Sequence, residues 1–175
     1  MNSFLQSGGV LEQKYNPFKE GRMSGHINTQ ILEALQRTRL FSGLSIQECE
    51  SFLHIWKQAT YEVGETVYTE GEESTDMLLV LSGAVELSAQ ETRIGVITPV
   101  DLVGEMGTFT DMPRSATVTA TSGKPLVALR VGKDALDAFL SEDSALTAKI
   151  QRNIIEILCE KIREDNRRLH EATQS

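Results

Sequence analysis

The chain has 175 residues, a net charge of −8 and 40% hydrophobic residues, a composition typical of one globular domain with extensions. The acidic balance disfavours a general nucleic-acid-binding surface, and no apolar run approaches the ~18 residues that a membrane span requires. The N-terminus lacks the basic and apolar segments of a signal peptide, and Cys49 and Cys159 lie far apart, so we expect a reduced, cytoplasmic protein without a disulfide or zinc site.

The first part of the chain divides into a tail and a helical region. Residues 1–27 are rich in glycine and polar residues and are predicted to form a flexible N-terminal tail. Residues 28–58 form an N-terminal helical region, whose first helix begins near Asn28 or Thr29. A second helix opens with the capping-box pattern Ser45-Ile46-Gln47-Glu48. Four apolar residues then recur at helical spacing and are predicted core positions: Cys49, Phe52, Leu53 and Trp56.

Residues 59–131 change to the alternating pattern of β-strands. Short strands are punctuated by turns at Gly64, Gly71 and Gly83, where only glycine adopts a positive φ freely. The near-continuous apolar run from Met77 to Leu81 is typical of a buried strand. Many short strands with glycine turns predict a sandwich, jelly roll or barrel.

Residues 132–170 return to helical periodicity. A short helix is predicted over Lys133 to Leu140, and Asp143 or Ser144 caps a long final helix that reaches about His170. The final helix carries a predicted apolar stripe: Leu146, Ile150, Ile154, Ile157 or Leu158, Ile162 and, one heptad further, Leu169. We expect this stripe to form a homodimer interface; the alternative is that it packs only on its own chain.

The segment from Val103 to Val118 carries the candidate chemistry. A carboxylate at Glu105, in an apolar surrounding, needs a hydrogen-bond donor such as a sugar hydroxyl. The planar guanidinium of Arg114 matches a phosphate, and backbone N–H groups of a short turn around Gly107 would face the same anion. Glu105 and Arg114 could instead pair with each other.

The segments around Glu105 and Arg114 together form a more specific pattern than either residue alone. Gly104-Glu105-Met106-Gly107, followed by Pro113-Arg114-Ser115-Ala116-Thr117-Val118, resembles the phosphate-binding cassette of the cyclic nucleotide-binding domain. The resemblance covers about residues 38–165. It implies an α+β fold: a β-roll, or jelly roll, of about eight antiparallel strands, with N-terminal helices before it and two C-terminal helices after it.

The resemblance also implies roles for individual residues. Glu105 would accept a hydrogen bond from the ribose 2′-hydroxyl, and Arg114 would pair with the cyclic phosphate. The ligand would be cAMP in preference to cGMP, because the hydroxyl of Ser115, although associated with reading guanine, also occurs in cAMP binders. The implied ligand-binding residues are Val103, Gly104, Glu105, Met106, Gly107, Arg114, Ser115 and Ala116. The final helix should close over the purine, with four candidate contacts: Lys161, Ile162, Asp165 and Asn166.

These features predict a stand-alone, non-enzymatic cyclic nucleotide sensor without a cofactor or metal. It would regulate a separate protein partner through movement of its C-terminal helices, without nucleic acid or membrane. The alternative is a scaffold that keeps the fold without the ligand. A cupin-type enzyme is disfavoured because no histidine lies between Ala59 and Val131 to bind a metal.

Overall fold

The computed structural model describes residues 32, 35–36, 38–121 and 123–173. The predicted tail at residues 1–27 and the helix start near Asn28 lie outside these residues. A 3₁₀ turn at Arg39–Phe41 precedes the α-helices, which are α1 (Ile46–Leu53), α2 (Glu105–Thr110), α3 (Lys133–Glu142) and α4 (Ser144–Thr173). The strands are β1 (Lys57–Tyr61), β2 (Thr66–Tyr68), β3 (Asp76–Ser82), β4 (Val85–Ala89), β5 (Thr92–Ile97), β6 (Asp101–Val103), β7 (Thr117–Ala120) and β8 (Leu126–Gly132).

The strands form two four-stranded sheets. One has the order β1-β8-β3-β6 and the other β2-β7-β4-β5, and every pairing is antiparallel. The predicted α+β jelly roll is therefore confirmed. The predicted turn glycines Gly64, Gly71 and Gly83 all have positive φ, at 88°, 82° and 88°.

Strand β3 lies at the centre of the molecule and is buried along its whole length. Its side chains alternate between two apolar clusters, as the pleat of a strand requires. Leu78 and Val80 point between the sheets, where they meet Val85 and Val118 of the facing sheet. Met77, Leu79 and Leu81 point to the other side, where the helices pack. Burial on both faces explains the unbroken apolar run in the sequence.

Helix α1 covers the outer cluster as its sequence predicts. The capping box is complete, since the Ser45 side chain accepts from the N–H of Glu48 and the Glu48 carboxylate accepts from the N–H of Ser45. The predicted core positions are all buried: Cys49, Phe52, Leu53 and Trp56. This anchors helix α1 to the outer face of the first sheet.

The first half of α4 is fixed to the same cluster. The carboxylate of Asp143 caps the helix by accepting from two backbone N–H groups, and Leu146, Ile150, Ile154 and Ile157 are buried. The buried amide of Asn153 donates to the carbonyl oxygens of Leu40 and Ser42, at 2.9 and 2.8 Å. These contacts hold α4 against the 3₁₀ turn.

The prediction that one apolar stripe runs along the whole of α4 is wrong at the C-terminal end of the helix. Ile162 and Leu169 are 60% and 65% exposed. A position five residues after Ile157 lies about 140° round the helix, so Ile162 turns away from the buried face and residue 161 takes its place. Ile155, which is 59% exposed, precedes Ile162 by seven residues. Ile155, Ile162 and Leu169 therefore form a separate, exposed stripe.

In the part of the chain that the structure describes, no helix combines the length and apolarity needed to cross a membrane. The same residues contain no group of three or more histidine, cysteine, aspartate or glutamate side chains placed to hold a metal ion.

Candidate functional site

A cavity of about 870 Å³ lies between the roll, helix α2 and the far half of α4. Ligand pockets commonly have volumes of about 300–1,000 Å³. All eight residues of the predicted ligand set line it: Val103, Gly104, Glu105, Met106, Gly107, Arg114, Ser115 and Ala116. Of the candidate purine contacts, Lys161, Ile162 and Asp165 line the cavity, whereas Asn166 is not among the lining residues.

Gly104 forms the turn that brings Glu105 and Arg114 into the same wall of the cavity. It follows β6 and adopts a left-handed φ of 86°, which glycine tolerates and other residues rarely do. A Cβ at this position would lie 2.6 Å from Nη1 of Arg114 and 2.9 Å from Cε2 of Tyr68. The backbone approaches Arg114 so closely that only glycine fits.

Helix α2 is held close to the start of β3. A Cβ at Gly107 would lie 1.9 Å from the Ser74 hydroxyl oxygen and 2.7 Å from the Met112 carbonyl oxygen. The Thr108 hydroxyl donates to the carbonyl oxygen of Asp76 at 2.7 Å. The absence of a side chain at Gly107 and the hydroxyl of Thr108 together fix the position of the short helix that carries Glu105.

Arg114 is a buried cation with defined partners. Its side chain is 5% exposed, and Nη2 donates to the Asp76 carboxylate at 2.5 Å. Nη1 donates to the carbonyl oxygen of Gly104 at 3.2 Å, and the guanidinium carbon lies 3.5 Å from the centre of the Tyr68 ring. Each Nη atom carries a second hydrogen. The guanidinium is therefore oriented by three groups and still has donors to offer to an anion in the cavity.

Asp76 joins this cation to a second one. Its carboxylate is 3% exposed and also accepts from Nε of Arg130, whose side chain is 53% exposed. Burial, with the nearby charge of Asp76, raises the pKa of Tyr68 far above its usual range. The face of this neutral ring contacts the Arg114 guanidinium, as in a cation–π interaction.

Glu105 has a different partner. Its side chain is 5% exposed, and Oε1 accepts from Nζ of Lys161 on α4 at 2.9 Å. Nζ of Lys161 also donates to the carbonyl oxygen of Leu102 at 2.7 Å and lies 3.8 Å from the Asp101 carboxylate. The alternative that Glu105 and Arg114 pair with each other is thus wrong, because each is bound by another side chain.

The sequence reasoning missed Tyr68 and Asp76, which orient Arg114. One available signal was an acidic residue directly before the apolar run that begins at Met77, since a carboxylate at the start of a buried strand needs a cationic partner. Lys161 was predicted as a purine contact, whereas the structure places its ammonium on the Glu105 carboxylate.

Comparisons with known proteins indicate the kind of domain that this chain contains. Residues 58–143 match the family model of the cyclic nucleotide-binding domain. A cAMP-dependent protein kinase regulatory subunit of Yarrowia lipolytica is 30% identical over 58% of this chain and 28% of its own length. A CRP-like cAMP-activated global transcriptional regulator of Mycobacterium tuberculosis is 24% identical over 78% of this chain and 61% of its own. The chain thus spans less than two thirds of either relative.

The fold also matches that of a solved structure. A cyclic nucleotide-binding domain from Methylobacillus flagellatus superimposes with a TM-score of 0.72, at 23% identity over 82% of this chain and 83% of that one. The antiparallel roll, its flanking helices and the sequence match together identify the family. Residues 58–143 of this chain therefore form a member of the cyclic nucleotide-binding domain family.

Proposed function

We propose that the chain senses a cyclic nucleotide, cAMP in preference to cGMP, as a regulatory ligand rather than as a substrate or cofactor. One observation carries the proposal: a buried carboxylate, Glu105, and a buried guanidinium, Arg114, line the same cavity within a segment that resembles the phosphate-binding cassette. A ligand with a free ribose 2′-hydroxyl and a singly charged cyclic phosphate matches this pair in charge and hydrogen bonding.

Arg114 is the proposed phosphate ligand. Asp76, the Gly104 carbonyl oxygen and the Tyr68 ring hold its guanidinium in place, so little side-chain entropy is lost when it binds the anion. The backbone around Gly107 would supply further N–H donors. Glu105 is the proposed acceptor for the ribose 2′-hydroxyl.

The purine would lie between the roll and α4. Ser115 and Ala116 line the cavity near Arg114, and α4 supplies Lys161, Ile162 and Asp165 from the other side. We expect Ser115→Ala to weaken cGMP binding more than cAMP binding. The substitution removes the Ser115 hydroxyl, which is the group proposed to hydrogen-bond with guanine. Equal losses for both nucleotides would remove Ser115 from a role in discrimination.

The proposed output is a change in α4, which both lines the cavity and presents an exposed stripe. The stripe of Ile155, Ile162 and Leu169 repeats every seven residues, the spacing of a coiled-coil seam. We propose a homodimer through this stripe, with a separate protein as the effector. Light scattering should give twice the chain mass, and Ile162→Glu should return the monomer mass. A monomer for the parent protein would contradict the dimer.

Isothermal titration with cAMP, cGMP and 5′-AMP tests the function. The cyclic nucleotides should bind, and Arg114→Ala should cost about 2–5 kcal/mol, because it leaves the phosphate charge unpaired. Arg93→Ala is the matched control, since Arg93 is an exposed strand arginine paired with Glu86. No heat from either cyclic nucleotide at roughly hundreds of micromolar would refute the proposal and favour a ligand-independent scaffold.

A further inference from the structure

Lys161 is seated on the roll by several acceptors. Its ammonium carries three hydrogens, and three oxygens of the β6–α2 segment surround it: those of Glu105, the Leu102 carbonyl and Asp101. The side chain is 27% exposed and that of Glu105 is 5% exposed. A cation held this way differs from an ordinary surface ion pair, which is freely solvated and contributes little.

The position of Lys161 along α4 gives this contact a mechanical role. Towards the N-terminus of the helix, Ile157 and Asn153 are buried against the outer cluster and the 3₁₀ turn. Among the described side chains after Lys161, all are exposed except that of Glu164, which is half-buried. Lys161 therefore attaches α4 to the roll beyond the buried half of the helix, and the exposed Ile162 and Leu169 lie on its C-terminal side.

We infer that Lys161 is a latch, an ion pair with Glu105 that ties the far half of α4 to the roll and competes with the nucleotide for that carboxylate. The inference rests on the proposed function, because it takes Glu105 as the ribose acceptor. The ammonium on Oε1 and the ribose hydroxyl need the same buried group. Nucleotide binding therefore weakens the attachment at Lys161 and frees the far half of α4 to change its position over the cavity.

The latch makes an unusual prediction: removal of a cation from the cavity wall tightens the binding of an anion. Lys161→Met keeps the length of the side chain but removes its charge. Without the competing ion pair, this variant should bind cAMP about tenfold more tightly than the parent. Without nucleotide, the backbone amides of residues 162–173 should exchange hydrogen faster than in the parent.

The chain supplies a matched control on the same helix. Lys149 makes an ion pair with Glu48 at 2.8 Å, near the start of α4 and away from the cavity. Lys149→Met should leave both the cAMP affinity and the exchange of residues 162–173 unchanged. Lys161→Arg should retain most of the latch and stay close to the parent in both measurements.

The outcomes separate the latch from the proposed function. If Lys161→Met binds cAMP more weakly than the parent, Lys161 is a ligand contact and the latch is refuted. Equal affinity refutes the competition as well. If the parent binds no cyclic nucleotide, the proposed function fails and the competition fails with it. The exchange measurement, which needs no nucleotide, then still reports whether Lys161 attaches α4 to the roll.

Discussion

The strongest stability prediction concerns Asp76, the buried carboxylate between two arginines. Asp76→Asn keeps the shape of the side chain and removes its charge. Arg114, whose side chain is 5% exposed, then remains buried without its anion. Arg130, which is 53% exposed, loses a partner but can be solvated. The two ion pairs of one carboxylate should therefore contribute very differently.

The exposure of each arginine determines how much the loss of its ion pair changes the free energy of unfolding. Breaking a buried pair by neutralising one partner costs about 3–5 kcal/mol, because the remaining charge is uncompensated. A half-exposed pair contributes less than about 1 kcal/mol. Asp76→Asn should thus lower the free energy of unfolding by about 3–5 kcal/mol and the melting temperature by roughly 6–20 °C. Arg130→Met, the matched control, should cost less than about 1 kcal/mol.

Urea unfolding followed by circular dichroism measures these differences. Arg114→Met in the Asp76→Asn background should recover part of the loss, because it removes the unpaired buried cation. The reasoning is refuted if Asp76→Asn costs no more than Arg130→Met, or if the double variant is less stable than Asp76→Asn by the full cost of Arg114→Met alone.

Three further predictions concern positions around the site and the helices. Gly107→Ala should lower the melting temperature, because its Cβ would lie 1.9 Å from the Ser74 oxygen and 2.7 Å from the Met112 carbonyl oxygen; an unchanged melting temperature would contradict this packing. Ser74→Ala should be neutral or stabilising by about 1 kcal/mol, since the buried Ser74 hydroxyl has no hydrogen-bond partner in the described structure; a loss above about 1 kcal/mol would show that it has one. Hydrogen bonds from Lys149 and from the N–H of Ser45 hold the pKa of Glu48 below its usual value of 4.5, so Glu48 stabilises the fold fully above that value and progressively less as the pH falls through its lower folded pKa. In urea titrations, the gap between the parent and Glu48→Gln should shrink over that range, and a gap independent of pH would contradict the assignment.

The parts of the site that the sequence predicted correctly are local in the chain. Glu105, Gly107 and Arg114 fall within a ten-residue pattern, and the glycine turns and capping box also depend on neighbouring residues. Their positions on one cavity wall follow from the cassette segment itself. What each of them binds within the protein does not follow from it.

The partners of these residues come from distant parts of the chain. Asp76 lies 38 residues before Arg114, and Lys161 lies 56 residues after Glu105. Only the pairing of the strands and the angle of α4 bring them together, and neither leaves a local pattern. The error at Ile162 has the same origin, since the spacing of apolar residues along the helix could not tell which of them are buried.

A crystal structure of the chain grown with cAMP tests the central claim most directly. We predict that the cyclic phosphate lies within hydrogen-bond distance of the Arg114 guanidinium and the N–H groups around Gly107. The ribose 2′-hydroxyl should donate to Glu105, and Lys161 should have moved away from that carboxylate. A nucleotide bound elsewhere, or a nucleotide that contacts neither Glu105 nor Arg114, would contradict the assignment of this site.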